Sequence, residues 1–290
     1  MTSRIDLYYW PTPNGRKITV MLEELEEPYD VKYINIKRGE QFSPAFLTIA
    51  PNGKIPAIVD HDGPDGEPIS IFESGAILQY LGRKFQRFYP GDERRRTGVD
   101  QLLFWQMANL GPMAGQANHF RNYSEQRIDY AVQRYTDEVR GLYGVMDRHL
   151  AQEQFLAVDY SIADMACFGW IGQHANAGLQ LEEFPKVQRW FETIAARPAV
   201  LKAIEVGREE RKRQKRVAKD ERRAETMPAR GAISTEHVPR QTRSIKLGRS
   251  KANVAPGPSS LAVAMRRPPW LSIMERQIDR PTPMPFALVV

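Results

Sequence analysis

A change of hydrophobic period near residue 86 constrains this chain more than any other feature. Before it, runs of branched and aromatic residues alternate with stretches of helical spacing; after it, every apolar pattern up to about Val206 is helical. Residues 5–10 (IDLYYW) read as a strand. PTPNG at 11–15 is a turn leading into a helix over 17–25, with Ile18, Met21, Leu22 and Leu25 on one face. Residues 31–36 alternate as a second strand. Ser43 is placed to cap a short helix that Pro44 begins, where a missing N–H costs nothing. Residues 56–59 and 69–72 are short strands joined by DHDGPDGEP, which suggests an antiparallel hairpin, and residues 74–85 return to helix. The order is βαβαββα.

The fold class this implies is α/β followed by all-α. Residues 1–86 form the α/β domain, 87–97 a polar linker with the charge run 92–96, and 98–208 a helical domain. Within the last, residues 130–150 make a long amphipathic helix, and SIAD at 161–164 is a capping box in which Ser161 and Asp164 satisfy each other's backbone. A closing helix is expected over 187–196, with another turn or two over 199–206. Residues 209–223 are helix-compatible without an apolar stripe, hence a solvated extension. The rest of the basic, proline-rich tail at 209–290 lacks periodicity, and its composition predicts disorder.

The net charge of +6 misleads, because residues 1–208 carry −4 and residues 209–290 carry +10. Basicity therefore does not mark the folded part as a nucleic-acid binder. No stretch has the roughly 20 apolar residues of a membrane span. The N-terminus lacks the apolar core of a signal peptide, and the single cysteine, Cys167, permits no internal disulfide. The expectation is a cytoplasmic protein that borrows a thiol for any redox chemistry.

Three features converge on one end of the α/β domain. Thr12 and Asn14 bring a hydroxyl and an amide beside helix N-terminal N–H groups, which favour an anion or thiolate; Asn14 suits a plain helix cap equally well. Ile55-Pro56 stands where a turn enters a strand. It is either a cis bond that turns the Ile55 backbone toward a ligand or an ordinary strand-start proline. Glu73-Ser74 ends a strand, with Ser74 expected at the N-cap of the next helix. Together they offer an acid for an ammonium and a hydroxyl for a carboxylate, the two charges of an amino-acid zwitterion, or they only cap.

These features together resemble the glutathione transferase superfamily. FESGAILQYL is similar to its helix start that holds the γ-glutamyl end of glutathione, KIPA to its cis-proline turn, and SIAD to the capping box of its helical domain. YYWPTPNGRKITVMLEEL, RGEQFSP, PNGKIPAIVD and LFWQMANLGPMAGQANHF are similar to the nu-class bacterial transferases, a class related to a yeast nitrogen regulator. The likeness spans residues 4–207 and leaves the tail outside. It implies a thioredoxin-like N-terminal domain, an all-helical C-terminal domain, a homodimer, and glutathione as co-substrate without a metal. By the same resemblance Glu73 and Ser74 bind the γ-glutamyl ammonium and carboxylate, and Ile55, in its turn with Pro56, pairs by its backbone with the cysteinyl part. Gln41 and Lys54 contact the peptide or its glycyl end. Thr12 and Asn14 face the sulfur, and Arg134 reaches the site, from a partner subunit in a dimer. The implied activity is glutathione-dependent reduction of a small disulfide, with transferase action on electrophiles or peroxidase action alongside.

Cys167, in DMACFGWI, reads as an inert buried thiol, and Tyr8 and Tyr9 as packing residues inside their strand. The five histidines have no metal-ligand spacing; His119 and His174 fall among amides, as structural residues or cleft linings. Phe104, Trp105 and Met107 suit core, subunit interface or an electrophile pocket. One rival is a glutathione-binding regulatory protein without turnover. In another the basic tail binds nucleic acid or an anionic membrane, although Trp270 and Phe286 are its only aromatics.

Overall fold

The computed structural model describes residues 4–157, 159–214 and 216–217, and the structural statements below concern those residues. The expectation of disorder over residues 218–290, and any partner of that tail, lies outside them.

Strand β1 (Ile5–Tyr9) buries Ile5, Leu7 and Tyr9 and leaves Asp6 and Tyr8 half-buried, the period of two expected of a pleated strand. β2 (Tyr29–Tyr33) runs parallel to it, with Ile5 opposite Tyr29 and Tyr9 opposite Tyr33. β3 (Ala57–Asp60) and β4 (Ile69–Phe72) add antiparallel on the other side, giving the order β2-β1-β3-β4. β2 starts and stops earlier than residues 31–36. Asn35 Oδ1 accepts the Lys37 N–H at 3.0 Å, and this side-chain turn ends the strand before Ile36.

Helices cover both faces of the sheet. α1 (Pro13–Leu25) and α3 (Ser74–Phe85) pack together, with Ile18, Met21, Leu22, Ile77, Leu78 and Leu81 in one core with Ile5 and Leu7. On the opposite face α2 (Pro44–Leu47), capped by Ser43, sets Phe46 against Ala50, Ala57 and Tyr8. β1 thus sends alternate side chains into two separate cores.

The helical half begins earlier than expected. α4 (Glu93–Trp105) starts inside the stretch read as linker, because Asp92 accepts the Arg95 N–H at 2.9 Å and makes the charge run a solvated first turn. One wide π-helical turn, Gln106–Leu110, joins α4 to α5 (Gly111–Asn122). α6 (Asp129–His149), α7 (Ile162–Ile171), α8 (Pro185–Ala195) and α9 (Pro198–Glu205) follow. Ile162 to Gly169 of α7 are all buried, and α7 packs on α1, α3 and α4, so the sheet half and the helical half share one continuous core. Among the described residues no helix is long and apolar enough to cross a membrane.

The solvated extension expected after residue 208 is, where it is described, exposed along most of its length, with a tie to the body at its end. Residues 208–214 are helical, and Asn35 donates to Gln214 Oε1 at 3.1 Å, which ties this helix to the end of β2. Gly207, at φ 76°, makes the bend, lying where a Cβ would be 3.0 Å from the Tyr9 ring. Glu205–Arg208, Glu209–Lys212 and Glu210–Arg213 pairs, each three residues apart, support the helix without an apolar stripe.

Candidate functional site

The sheet register gathers the sequence-nominated segments. β1 ends at Tyr9 and leads into Thr12, and Tyr8 stands opposite Ala57, the first residue of β3. Ala57 in turn faces Phe72, the last residue of β4, which leads into Glu73 and Ser74. Residues 12–14, 54–56 and 73–74 therefore meet at one end of the sheet, beside the N-termini of α1 and α3. The Ile55–Pro56 bond is cis, and Ile55 lies just outside the ladder that starts at Ala57.

Thr12, not Asn14, caps α1: its Oγ1 accepts the Gly15 N–H at 3.2 Å. That bond uses an oxygen lone pair and leaves the hydroxyl hydrogen to donate. Asn14 is held by the helical half, for Trp170 Nε1 donates to its Oδ1 at 2.9 Å. Indole N–H only donates, so the amide oxygen must face Trp170 and the NH₂ must face away from it. α7 comes this close because Gly169 has no side chain; a Cβ there would sit 2.7 Å from the Pro13 carbonyl oxygen.

Ser74 is the first residue of α3 rather than its cap, and Glu73 holds the cap position with φ 69° and no capping bond from its side chain. A non-glycine residue at that φ is strained, and such strain gathers at functional sites. The residue that sequence reasoning missed is Lys17. It is 1% exposed, and its Nζ donates to Ser74 Oγ at 3.3 Å and to Gln106 Oε1 at 2.6 Å, with Met107 Sδ at 3.5 Å. Burial pulls the ammonium down to about 7, with the Glu73 carboxylate opposing the shift. Its signal was present: Lys17 sits on the stripe of Ile18, Met21 and Leu25, a cation where the period demands an apolar residue.

Gln41 lies beside Gly53, and its side-chain Oε1 is buried with no partner, an acceptor left for a donor from elsewhere. Lys54 is exposed next to it. Arg134 is not gathered with the others; it is exposed on α6, lining a shallow hollow with Tyr130, Gln133, Asp137 and Glu138. Met107 joins the site, whereas Phe104 is 63% exposed and Trp105 lines a separate cavity of about 640 Å³ with Arg94, Met146 and His149. Cys167 is buried, and burial pushes its thiol pKa up, so it is no nucleophile. Tyr9 is buried with its hydroxyl donating to the Val206 carbonyl, and burial raises it to about 12, consistent with packing. His174 Nδ1 lies 3.0 Å from the Leu179 carbonyl oxygen, a structural contact.

Comparison with known proteins gives two family profiles. "Glutathione S-transferase, N-terminal domain" matches residues 12–84 and "Glutathione S-transferase, C-terminal domain" matches residues 118–198. The disulfide-bond oxidoreductase YfcG of Escherichia coli is 47% identical over 202 residues, 69% of this chain and 94% of that protein. The transcriptional regulator URE2 of Saccharomyces cerevisiae is 34% identical over 232 residues, 66% of this chain and 65% of that protein. A glutathione transferase from Pseudomonas putida, solved with one glutathione disulfide bound per subunit, superposes with a TM-score of 0.67 at 38% identity, over 70% of this chain and 92% of that one.

Proposed function

The chain belongs to the glutathione transferase family, and from that premise we propose that it is a glutathione-dependent disulfide reductase. The observation that carries this reading is the pair of donors at the N-terminus of α1. Thr12 keeps its hydroxyl hydrogen and Asn14 its NH₂ group, each with the oxygen already engaged. A thiol of pKa near 8.5 is mostly protonated at neutral pH, and the thiolate is the nucleophile. Two donors and a helix N-terminus favour the anion, and one pKa unit needs only about 1.4 kcal/mol. Glutathione supplies the sulfur that attacks a small disulfide; the protein positions it and holds its charge.

The remaining residues divide the peptide among them. Ser74 takes the γ-glutamyl carboxylate and Glu73 the ammonium. Ile55, turned by Pro56, offers its backbone to the cysteinyl part. Gln41 and Lys54 take the peptide and its glycyl end, the buried Gln41 Oε1 gaining the donor it lacks. Arg134 completes the site across a homodimer, its place on α6 leaving it free to reach a partner copy. The reducing compartment that suits such chemistry is the cytoplasm, and transferase action on electrophiles or peroxidase action would use the same thiolate.

The test is glutathione-dependent reduction of a small model disulfide by the full chain, with Ser74→Ala and Glu73→Ala beside it. Turnover that falls in both variants through a raised KM for glutathione supports the reading. Glutathione binding without turnover would instead favour the regulatory alternative, which the URE2 likeness motivates.

A further inference from the structure

Lys17 is an ion without a counter-ion. Its Nζ lies under the first turn of α3, and its hydrogen-bond partners, Ser74 Oγ, Gln106 Oε1 and Met107 Sδ, are all neutral. Among the described residues no carboxylate lies within ion-pairing distance of it. Of the other buried ionisable groups among the described residues, Asp60 pairs with Lys84 at 2.5 Å and Glu24 with Arg197 at 2.5 Å, while Asp164 has no ion pair but accepts from the Ser161, Leu156 and Trp190 N–H groups. Burying a charge is costly unless it is paired, so a cation left unpaired is driven toward its neutral form until a counter-ion arrives.

We propose that Lys17 is the positioning residue of the carboxylate subsite: it fixes and polarises Ser74 from below, and the ligand carboxylate held by Ser74 is its missing counter-ion. This rests on the glutathione reading above. By donating to Ser74 Oγ, Lys17 occupies an acceptor lone pair, and the serine hydroxyl, whose own acceptor is only the weak Met107 Sδ at 3.8 Å, keeps its proton for a stronger acceptor. A hydroxyl backed by a buried cation binds an anion more strongly than one backed by neutral groups, because the low-dielectric surroundings screen the charge little. Gln106 orients the ammonium at 2.6 Å, and the wide turn at Gln106–Leu110 is what delivers both Gln106 and Met107 to it. The titratable groups facing Lys17 are Glu73, on the segment before α3, and the buried thiol of Cys167 on α7. Neither replaces the ligand: Glu73 is exposed and assigned to the ammonium, and Cys167 stays neutral.

The experiment is calorimetric titration of the full chain with two peptides. One is glutathione; the other is 4-aminobutyryl-cysteinyl-glycine, which keeps the terminal ammonium and lacks the adjacent carboxylate. The wild-type chain should prefer glutathione, and Lys17→Met should weaken glutathione about tenfold while leaving the analogue unchanged, so that the preference collapses. Gln106→Glu, which offers Lys17 a carboxylate of the protein's own, should collapse the same preference, and it decides the matter if Lys17→Met does not fold. A preference that survives both substitutions, or equal weakening of both peptides, would overturn the role of Lys17 and leave the functional reading standing. A wild-type chain that binds neither peptide would overturn the functional reading itself, and the proposal with it.

Discussion

Helix α7 and helix α3 both begin with buried polar groups, and they treat those groups in opposite ways. In the capping box of α7 the polar groups close on one another, although the hydroxyl of the preceding Tyr160 is buried without a hydrogen-bond partner. Asp164 accepts the Ser161 N–H at 3.0 Å, the Leu156 N–H at 2.9 Å and the Trp190 Nε1 proton at 2.8 Å, while Ser161 Oγ accepts the Ala163 N–H at 3.3 Å. At α3 the groups remain open. The Glu73 side chain makes no capping bond, Lys17 has no counter-ion among the described residues, and Gln106 Nε2 is buried without a partner. Satisfied polar clusters specify a fold; unsatisfied ones, tolerated at a cost, mark where a ligand belongs.

The sharpest way to break this contrast is Asp164→Ala, which strands the Trp190 N–H and two backbone N–H groups in the core. It should lower unfolding free energy by about 3 kcal/mol or more, read from the denaturant midpoint; a loss below 1 kcal/mol would mean the closed cluster does not specify the fold. The same residue carries a pH signature. Burial raises its carboxyl to about 6 in the fold against 3.8 as a free group, so the folded state holds the proton longer. Wild-type stability should therefore fall as pH rises from about 4 to 6 through this group, a slope missing from the alanine variant.

Next in size comes Asn14→Ala. Loss of one donor to a thiolate should reduce turnover about tenfold to a hundredfold, with KM for glutathione little changed. Unaltered turnover would remove Asn14 from the chemistry. In the absence of ligand, Lys17→Met should stabilise the chain by about 1–2 kcal/mol, since it removes an unpaired buried charge. The sign with pH follows from a folded value of about 7 against 10.5 in the free group. Below pH 7 both states hold the proton and the cost is complete; between 7 and 10.5 the folded state releases it first, and the cost fades. The gap in melting temperature between variant and wild type should thus be wide at pH 6 and narrow at pH 9. The smallest effect is expected of Trp170→Phe, which frees the Asn14 amide to rotate and should lower turnover about threefold.

Much of this molecule was legible in one dimension. Ser74–Phe85 and Ile69–Phe72 coincide with the observed elements, because apolar period and turn residues mark both of their ends. SIAD announced the capping box, since its partners are three residues apart and need no tertiary contact. The start of α4 was misplaced because its charged first turn is stabilised by Asp92 and solvent, which leave no apolar period to read. β2 was displaced because Asn35, a turn former through its side chain, lies between residues that alternate acceptably as a strand. Of the site, the Ile55–Pro56 turn and the helix start at Ser74 were visible as local signals, whereas α1, expected from residue 17 with Asn14 as the candidate cap, starts at Pro13 behind Thr12. The N-cap of α3 was off by one residue, as Glu73 takes a left-handed conformation that no sequence rule assigns to glutamate.

What the sequence determined by itself is therefore the order of elements, the division of period near residue 86, and the local caps and turns, all of which depend on residues a few positions apart. What only the tertiary structure decided is which polar groups find partners. Trp170 reaches Asn14 across 156 positions, Gln106 reaches Lys17 across 89, and Ser74 reaches Lys17 across 57. Whether a buried lysine is paired or waiting is a property of those long-range contacts, and the reason is physical: the cost of a buried charge is set by what surrounds it in space, not by its neighbours along the chain.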